Sequence, residues 1–319
     1  MRGAEASKSG PAPSASPGAS PGASSAPGGS SAPPLGPGLW IVATPIGAAR
    51  DITLRALDVL ASAEVLAAED TRTLRRLMEI HGIPLSGRRI LAYHDRNGAA
   101  ARPGLLAALA DGKSVALVSD AGTPLVADPG HTLVREAAAA GHEVHAVPGA
   151  SAVLAALTVA GLPTDRFLFA GFLPSQSGAR RRMLEELRDV PATLVFFEAP
   201  HRLSAGIREL LGVLGEDRRA CICRELTKRF EEVRRGTLGD LAAGLDDMTT
   251  KGELVLVVDR GTPDRPDAAD VDTALRDALS GASVKDAAKA VSDRLGLPRR
   301  DVYQRALSLS AEGPDGRDG

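Results

Sequence analysis

The stretch Val115–Gly130, VALVSDAGTPLVADPG, decides how the chain is read. It opens on Val115-Ala116-Leu117-Val118, an apolar run with the length and branching of a buried strand. The run ends abruptly in Ser119-Asp120-Ala121-Gly122-Thr123-Pro124. A second turn, Asp128-Pro129-Gly130, then precedes a helical run from His131 to Ala140. In open α/β sheets, ligands bind at the carboxyl ends of strands, where bulk is low and backbone N–H groups are free. A lone glycine or proline only punctuates a strand–helix connection. Six small, polar or turn residues in a row beside a second turn exceed that need, so the segment reads as a ligand loop.

Working outward, the same grammar repeats. Leu39 to Ala43 is a strand ending in Thr44-Pro45-Ile46-Gly47, and Asp51 is placed to cap the helix that follows. Val65 to Ala68 ends in Glu69-Asp70-Thr71-Arg72, and Ile90 to Tyr93 ends in His94-Asp95-Arg96-Asn97. Val144 to Val147 runs into Pro148-Gly149-Ala150-Ser151-Ala152 and an apolar helix to Ala160. Strands alternating with helices predict a mainly parallel sheet with polar residues gathered after successive strands. Glu69, Asp70 and Arg72 exceed what helix capping requires and are candidates for touching a ligand. His94 and Asp95 read either as an acid/base pair or as a solvated loop.

Gly161-Leu162-Pro163 breaks the chain and predicts a second α/β domain over residues 161–261, after a first over 39–160. Its strands are expected at Phe167–Phe172, Thr193–Phe197, Ala220–Cys223, Val233–Thr237 (pairing back antiparallel) and Leu254–Val258. Basic residues recur between them at Arg180 to Arg182, Arg202, Lys228-Arg229 and Arg234-Arg235; with acidic residues nearly balancing them, they read either as a solvated surface or as a phosphate-facing side. Residues 262–319 read as a Pro/Asp linker and three short helices resembling a helix-turn-helix, with Ser283 as a cap and Gly296 as a stop. From Ser283 to Ser310, Lys285, Lys289, Arg294, Arg299, Arg300 and Arg305 outnumber Asp286, Asp293 and Asp301, which favours nucleic-acid contact. Residues 1–38 contain no Leu, Ile, Val or aromatic before Leu35. They are expected to be a disordered extension, or the product of a misassigned start, because nothing there offsets ordering entropy.

Composition sets outer limits. The 319 residues are 44% hydrophobic but only 3% aromatic, which disfavours base-stacking platforms. A net charge of −2 means that nucleic-acid binding needs a local basic patch. Cys221 and Cys223 share one face of a strand and are too few for structural zinc, so they read as buried thiols of a reducing cytoplasm. No His/Cys/Asp set has metal-ligand spacing, and no stretch approaches the ~20 apolar residues of a membrane span.

Eight blocks occur in order: VATPIG (42–47), AEDTRT (68–73), SDAGTPLVADPG (119–130), VPGASA (147–152), FAGFLP (169–174), FEAPHR (197–202), CRELTK (223–228) and KGE (251–253). Together they resemble the bacterial 16S rRNA (cytidine-2′-O)-methyltransferases, within the tetrapyrrole methylase superfamily. The resemblance runs from about Leu39 to Ser310 and departs from the pattern only in the long N-terminal tail. It implies two αβα domains with S-adenosylmethionine in the cleft between them, a small C-terminal helical module, and a homodimer. It also implies cofactor contacts at Pro45, Ser119, Asp120, Ala121, Gly122, Thr123, Pro124, Ser151 and Phe172, and a cytidine 2′-hydroxyl of the 30S decoding region as acceptor.

The chemistry is compatible. Transfer of a methyl from a sulfonium is an in-line displacement that needs alignment and no metal. A ribose hydroxyl is a weak nucleophile, so a base, or a lysine lowering its pKa, would help. Glu69, Asp70, Glu225 and Lys228 are the candidates, all following predicted strands. Two rival functions are methylation of a tetrapyrrole or other small molecule on the same fold, and non-catalytic regulation through the helix-turn-helix. The tail and scattered arginines weigh against the first, and the ligand loop weighs against the second.

Overall fold

The computed structural model describes residues 35–249, 251–261 and 268–311. Most of the N-terminal extension and of the Pro/Asp linker lies outside the described residues. The first sheet is built from β1 (Gly38–Val42), β2 (Val65–Ala68), β3 (Ile90–Ala92), β4 (Ser114–Val118) and β5 (Val144–Val147). Its order is β3-β2-β4-β1-β5, and every pairing is parallel. β4 is central and all five of its residues are buried, as an uninterrupted apolar run demands.

Helices α1 (Leu54–Ser62), α2 (Thr71–Ile80), α3 (Gly98–Ala110) and α4 (His131–Ala139) cover the two faces. Successive residues of β4 point to opposite faces. Ala116 and Val118 pack with Ala56, Leu60, Leu74 and Met78 of α1 and α2. Val115 and Leu117 pack with Leu105, Leu109 and Leu133 of α3 and α4. β1 and β4 are neighbours, yet the helices that follow them lie on opposite faces. Their carboxyl ends therefore form the switch point at which open α/β sheets bind ligands.

The fifth helix, α5 (Ala152–Ala160), does not cover this sheet. Its Val153, Ala156, Leu157 and Ala160 pack on Val195, Cys221, Cys223, Val255 and Val257 of the second sheet. The sequence AVLAALTVA lacks a polar face, so it suits a helix held between two bodies. Arg235 donates to the carbonyl of Val159 in its last turn, and the buried thiols of Cys221 and Cys223 lie beneath it, 3.7 Å apart.

The second sheet comprises β6 (Phe167–Phe172), β7 (Thr193–Glu198), β8 (Arg219–Arg224), β9 (Glu232–Thr237) and β10 (Leu254–Val258), in the order β6-β7-β10-β8-β9. β6 and β7 are parallel and the other pairs antiparallel. β10, again an unbroken apolar run, is central and fully buried. Leu254, Leu256 and Val258 face a core completed by α6 (Ser177–Leu187), α7 (Leu203–Leu214) and α8 (Leu238–Ala243).

Several local expectations change. Thr53, not Asp51, caps α1, accepting from the amide of Ala56. Order begins before Leu39, since Leu35 packs on the first core and Trp40 bonds the carbonyl of Gly36. Three of the arginines expected on a phosphate-facing side, Arg180, Arg202 and Arg234, are engaged by partners within the protein. Arg180 is buried in α6, bonded to the carbonyl of Pro174, and Arg202 pairs with Glu198 at 2.7 Å. Arg234 pairs with Glu232 and donates to the carbonyls of Gly244 and Asp247. Most of these partners lie within a few residues in sequence, and only the fold shows that they are engaged.

Helices α9 (Ala268–Leu279), α10 (Val284–Leu295) and α11 (Arg299–Ala311) enclose their own core of Leu275, Ala288, Val291, Val302 and Ala306. Ser283 caps α10 and Gly296 closes it at φ +64°. Arg305 is not a free surface cation: it forms a bidentate pair with the buried Asp272. Lys285, Arg299, Arg300 and Tyr303 remain together around a shallow hollow. None of the helices is long and apolar enough to cross a membrane, among the described residues. Arg305→Gln is expected to speed amide exchange throughout α9–α11, whereas Arg299→Glu with Arg300→Glu leaves exchange unchanged. The reverse pattern would assign the structural role to the wrong arginines.

Candidate active site

Four strand-end loops of the first sheet are tied into one surface. The amide of Thr44 donates to the carbonyl of Gly122 at 2.9 Å, and the amide of Gly122 returns a bond to Thr44 at 3.0 Å. The Ser119 hydroxyl closes its own loop by donating to the carbonyl of Gly122 at 2.7 Å. Thr123 donates to the carbonyl of Ala150 at 3.0 Å, and the amide of Asp70 donates to the Asp120 carboxylate at 2.8 Å. The loops after β1, β2, β4 and β5 are thereby held as a unit.

Gly122 sits at φ +76°, where a side chain would be strained and would press on Ile46 at 3.3 Å. Leu125 and Ala127 adopt positive φ without being glycine, at 70° and 63°. Such conformations cost energy and cluster at ligand sites.

These loops face the second domain across a cleft of ≈ 330 Å³. Its walls on one side are Ile46, Asp120 to Thr123, Val126, Asp128, Ser151 and Ala152. On the other are Phe172, Phe197, Glu198, Ala199, Glu253, Leu254 and Val255. A break in the β6–β7 register between Phe169 and Phe172, with Gly171 at φ +73°, turns Phe172 toward the cleft. Its ring meets Phe197 edge-on at 5.5 Å and stays 53% exposed.

The expected site residues divide accordingly. Asp120, Ala121, Gly122, Thr123, Ser151 and Phe172 line the cleft. Pro45, Ser119 and Pro124 are buried behind its wall, Ser119 acting through the loop-closing bond. Asp70 caps α2 and is locked to Arg72 at 2.6 Å, which draws its pKa down to about 2. Glu69 does not line the cleft; burial and then the nearby Asp120 and Asp95 hold its pKa above the ordinary range. Lys228 bridges Glu225 at 2.8 Å and Glu253 at 3.0 Å. Burial opposes the charge on Lys228, but the bonds to both carboxylates outweigh it and keep the ammonium protonated. Its bond in turn lowers Glu225. The Lys228 loop presses on the first domain at Gly47, where a Cβ would meet Lys228 Cγ at 2.5 Å and Thr227 Oγ1 at 2.6 Å. Glu225 and Thr227 in that loop also carry positive φ.

Sequence reasoning passed over Asp128, Glu253 and Phe197. Asp128 was legible only as a turn residue, although a second carboxylate within one strand–loop–helix unit was a usable signal. Its pKa is pushed up to about 7 by burial and then by Glu69, Asp120 and Asp95. Among the described residues, no group of three or more His, Cys, Asp or Glu is arranged to hold a metal ion.

A carboxyl whose folded pKa is raised holds its proton longer in the folded state, so stability falls as pH climbs from its ordinary value toward the folded one. Asp128→Asn is therefore expected to raise Tm at about pH 8 and to leave it unchanged near pH 4. Equal shifts at both values, read by calorimetry, would contradict the crowding of carboxylates.

Comparison with known proteins adds the family. The profile of the tetrapyrrole (corrin/porphyrin) methylases matches residues 38–242, and that of the RsmI C-terminal helix-turn-helix domain matches residues 265–310. Ribosomal RNA small subunit methyltransferase I of Mesorhizobium japonicum is 48% identical over 292 residues, covering 90% of this chain and 97% of the relative. The Escherichia coli O157:H7 protein of the same name is 42% identical, covering 84% and 94%. Among solved structures, a diphthine synthase aligns with a TM-score of 0.56 at 19% identity, over 69% of this chain and 89% of that one. The methyltransferase CobJ aligns at 0.55 and 19%, over 70% and 95%. These structural likenesses carry the fold alone; the sequence matches carry more, and with them the chain belongs to the tetrapyrrole (corrin/porphyrin) methylases.

Proposed function

We propose that the protein uses S-adenosylmethionine to methylate the 2′-oxygen of a cytidine in the decoding region of 16S rRNA. The observation that carries the donor half is the cleft between Gly122 and Phe172, knit from four strand ends at the switch point of the first sheet. Its residues fit such a cofactor: apolar surface from Ile46, Val126, Phe172 and Leu254 adjoins the carboxylates of Asp120 and Asp128, which suit a ligand carrying positive charge. When bound, S-adenosylmethionine supplies a methyl group activated by a cationic sulfur. Asp120, the Gly122–Thr123 segment, Ser151 and Phe172 would hold it, with Ser119 and Thr44 keeping the loop in shape. Burial between two domains excludes water from the reaction, and alignment supplies most of the rate.

The acceptor half is supported by the ribosomal RNA methyltransferases at 40–48% identity, whose similarity extends through the helical module. Arg299, Arg300, Lys285 and Tyr303 form a basic, partly aromatic surface on that module, suited to phosphate. Lys228, kept protonated by two carboxylates, provides fixed positive charge at the domain junction and is unsuited to accept a proton. A homodimer and a cytoplasmic location belong to the same reading, as does a division of the chain near Gly161 and after Gly261.

Two measurements test the proposal. After incubation with labelled cofactor and 30S subunits, nucleoside mass spectrometry is expected to place the methyl on the ribose of a cytidine; a methylated base would overturn the acceptor assignment. Arg299→Glu with Arg300→Glu is expected to raise KM for the subunit and flatten its salt dependence, without changing S-adenosylhomocysteine affinity. Unchanged kinetics would reduce the module to a structural cap.

A further inference from the structure

A second cleft, of ≈ 300 Å³, opens beside the first at the carboxyl ends of β3 and β4. Tyr93, His94 and Asp95 wall one side, Gly98 and Ala99 of α3 form the floor, and Pro129 to Thr132 close the other. Asp128 lines both clefts. Among the described residues its carboxylate has no hydrogen-bond or ion-pair partner, unlike Asp70, which is spent on capping and on Arg72. Asp120 lines only the first cleft and accepts from the amide of Asp70; Glu69 lines neither.

We propose that this second cleft seats the nucleoside whose 2′-hydroxyl is methylated, and that Asp128, in the wall shared with the donor cleft, accepts the hydroxyl proton. The inference rests on the proposed function and names the acceptor subsite within it. Methyl transfer needs donor and acceptor in adjoining spaces with a proton acceptor between them, and Asp128 lies at the only wall these two clefts share. The volume is at the lower end for small-molecule clefts and suits one nucleoside turned out of its strand. Asp95 at the rim is an acceptor of the type that recognises the cytosine amino group. His94, His131 and Thr132 add donors for sugar and phosphate oxygens.

In the step, the 2′-hydroxyl proton passes to a carboxylate oxygen of Asp128. The electron pair freed on the ribose 2′-oxygen would form the new O–C bond, and the pair of the broken C–S bond would leave with the donor's sulfur. Burial raises the pKa of Asp128 first, and Glu69, Asp120 and Asp95 then crowd it with like charge; the titratable and charged groups that share its second cleft are His94, Asp95, Arg102 and His131. Burial and this crowding keep the carboxyl poised near neutrality, where a general base is most effective.

Two variants and one titration test this. Asp128→Asn is expected to lose about 100-fold or more in kcat on 30S subunits, far more than any change in KM or in S-adenosylhomocysteine affinity. The residual activity should also lose its rise with pH across the neutral range. Ala99→Trp, at an exposed position on the cleft floor, is expected to keep Tm and S-adenosylhomocysteine affinity but to lose subunit methylation. Cytidine monophosphate, titrated at millimolar concentration into labelled protein saturated with S-adenosylhomocysteine, should shift the amides of Gly98, Gly130 and Thr132 in wild type and not in Ala99→Trp. Absence of those shifts overturns the nucleoside subsite, and near-normal kcat in Asp128→Asn overturns the proton acceptor. Wild-type protein that leaves rRNA unmodified overturns the proposed function instead, and the titration still decides the cleft.

Discussion

The pair of backbone bonds between Thr44 and Gly122 is the constraint on which the site depends. It joins the loops of two neighbouring strands whose following helices diverge to opposite faces of the sheet. Without it, each loop would be an independent turn. With it, the Ser119 bond to the carbonyl of Gly122, the Thr123 bond to Ala150 and the Asp70 bond to Asp120 become one network. A network of satisfied polar groups rigidifies what it spans. The positive φ at Gly122, Leu125 and Ala127 is tolerated because that surround fixes it.

The second sheet is brought to this surface by packing. α5 follows directly on the fourth loop of the network, and its apolar faces bind the second sheet, so its position carries the cleft's far wall toward the near one. The Lys228 loop repeats the contact from the other direction, meeting Gly47 closely enough that a methyl group would not fit. The helix and the loop together hold apolar walls against a carboxylate-rich rim. Of the two carboxylates in the strand-end loop, Asp120 lines the first space and Asp128 lines both.

Much of this was legible before any coordinates. VALV read as a buried strand and LVLVV as a strand, and both proved central and fully buried, since both faces of a central strand are covered. The ligand loop was legible because glycine, proline and a carboxylate crowded one strand end. What escaped were pairings that a residue's type and position do not announce, whether the partner is close in sequence, as for Arg202 and Glu198, or distant, as for Arg305 and Asp272. Arg180, Arg202, Arg234 and Arg305 looked like phosphate ligands until their carboxylates and carbonyls closed on them. The destination of α5 was hidden because an apolar helix does not announce which sheet it will cover. Asp128 was hidden for the opposite reason, since a Asp-Pro-Gly turn explains an aspartate locally and conceals that its side chain finds no partner.

The most direct measurement is a crystal structure of the protein with S-adenosylhomocysteine. Density is expected between the Gly122–Thr123 segment and Phe172, touching Asp120 and Ser151, with the Thr44–Gly122 bonds intact. Density outside that cleft, or a ligand bound with those bonds broken, would contradict the claim that the tied strand ends build the donor site.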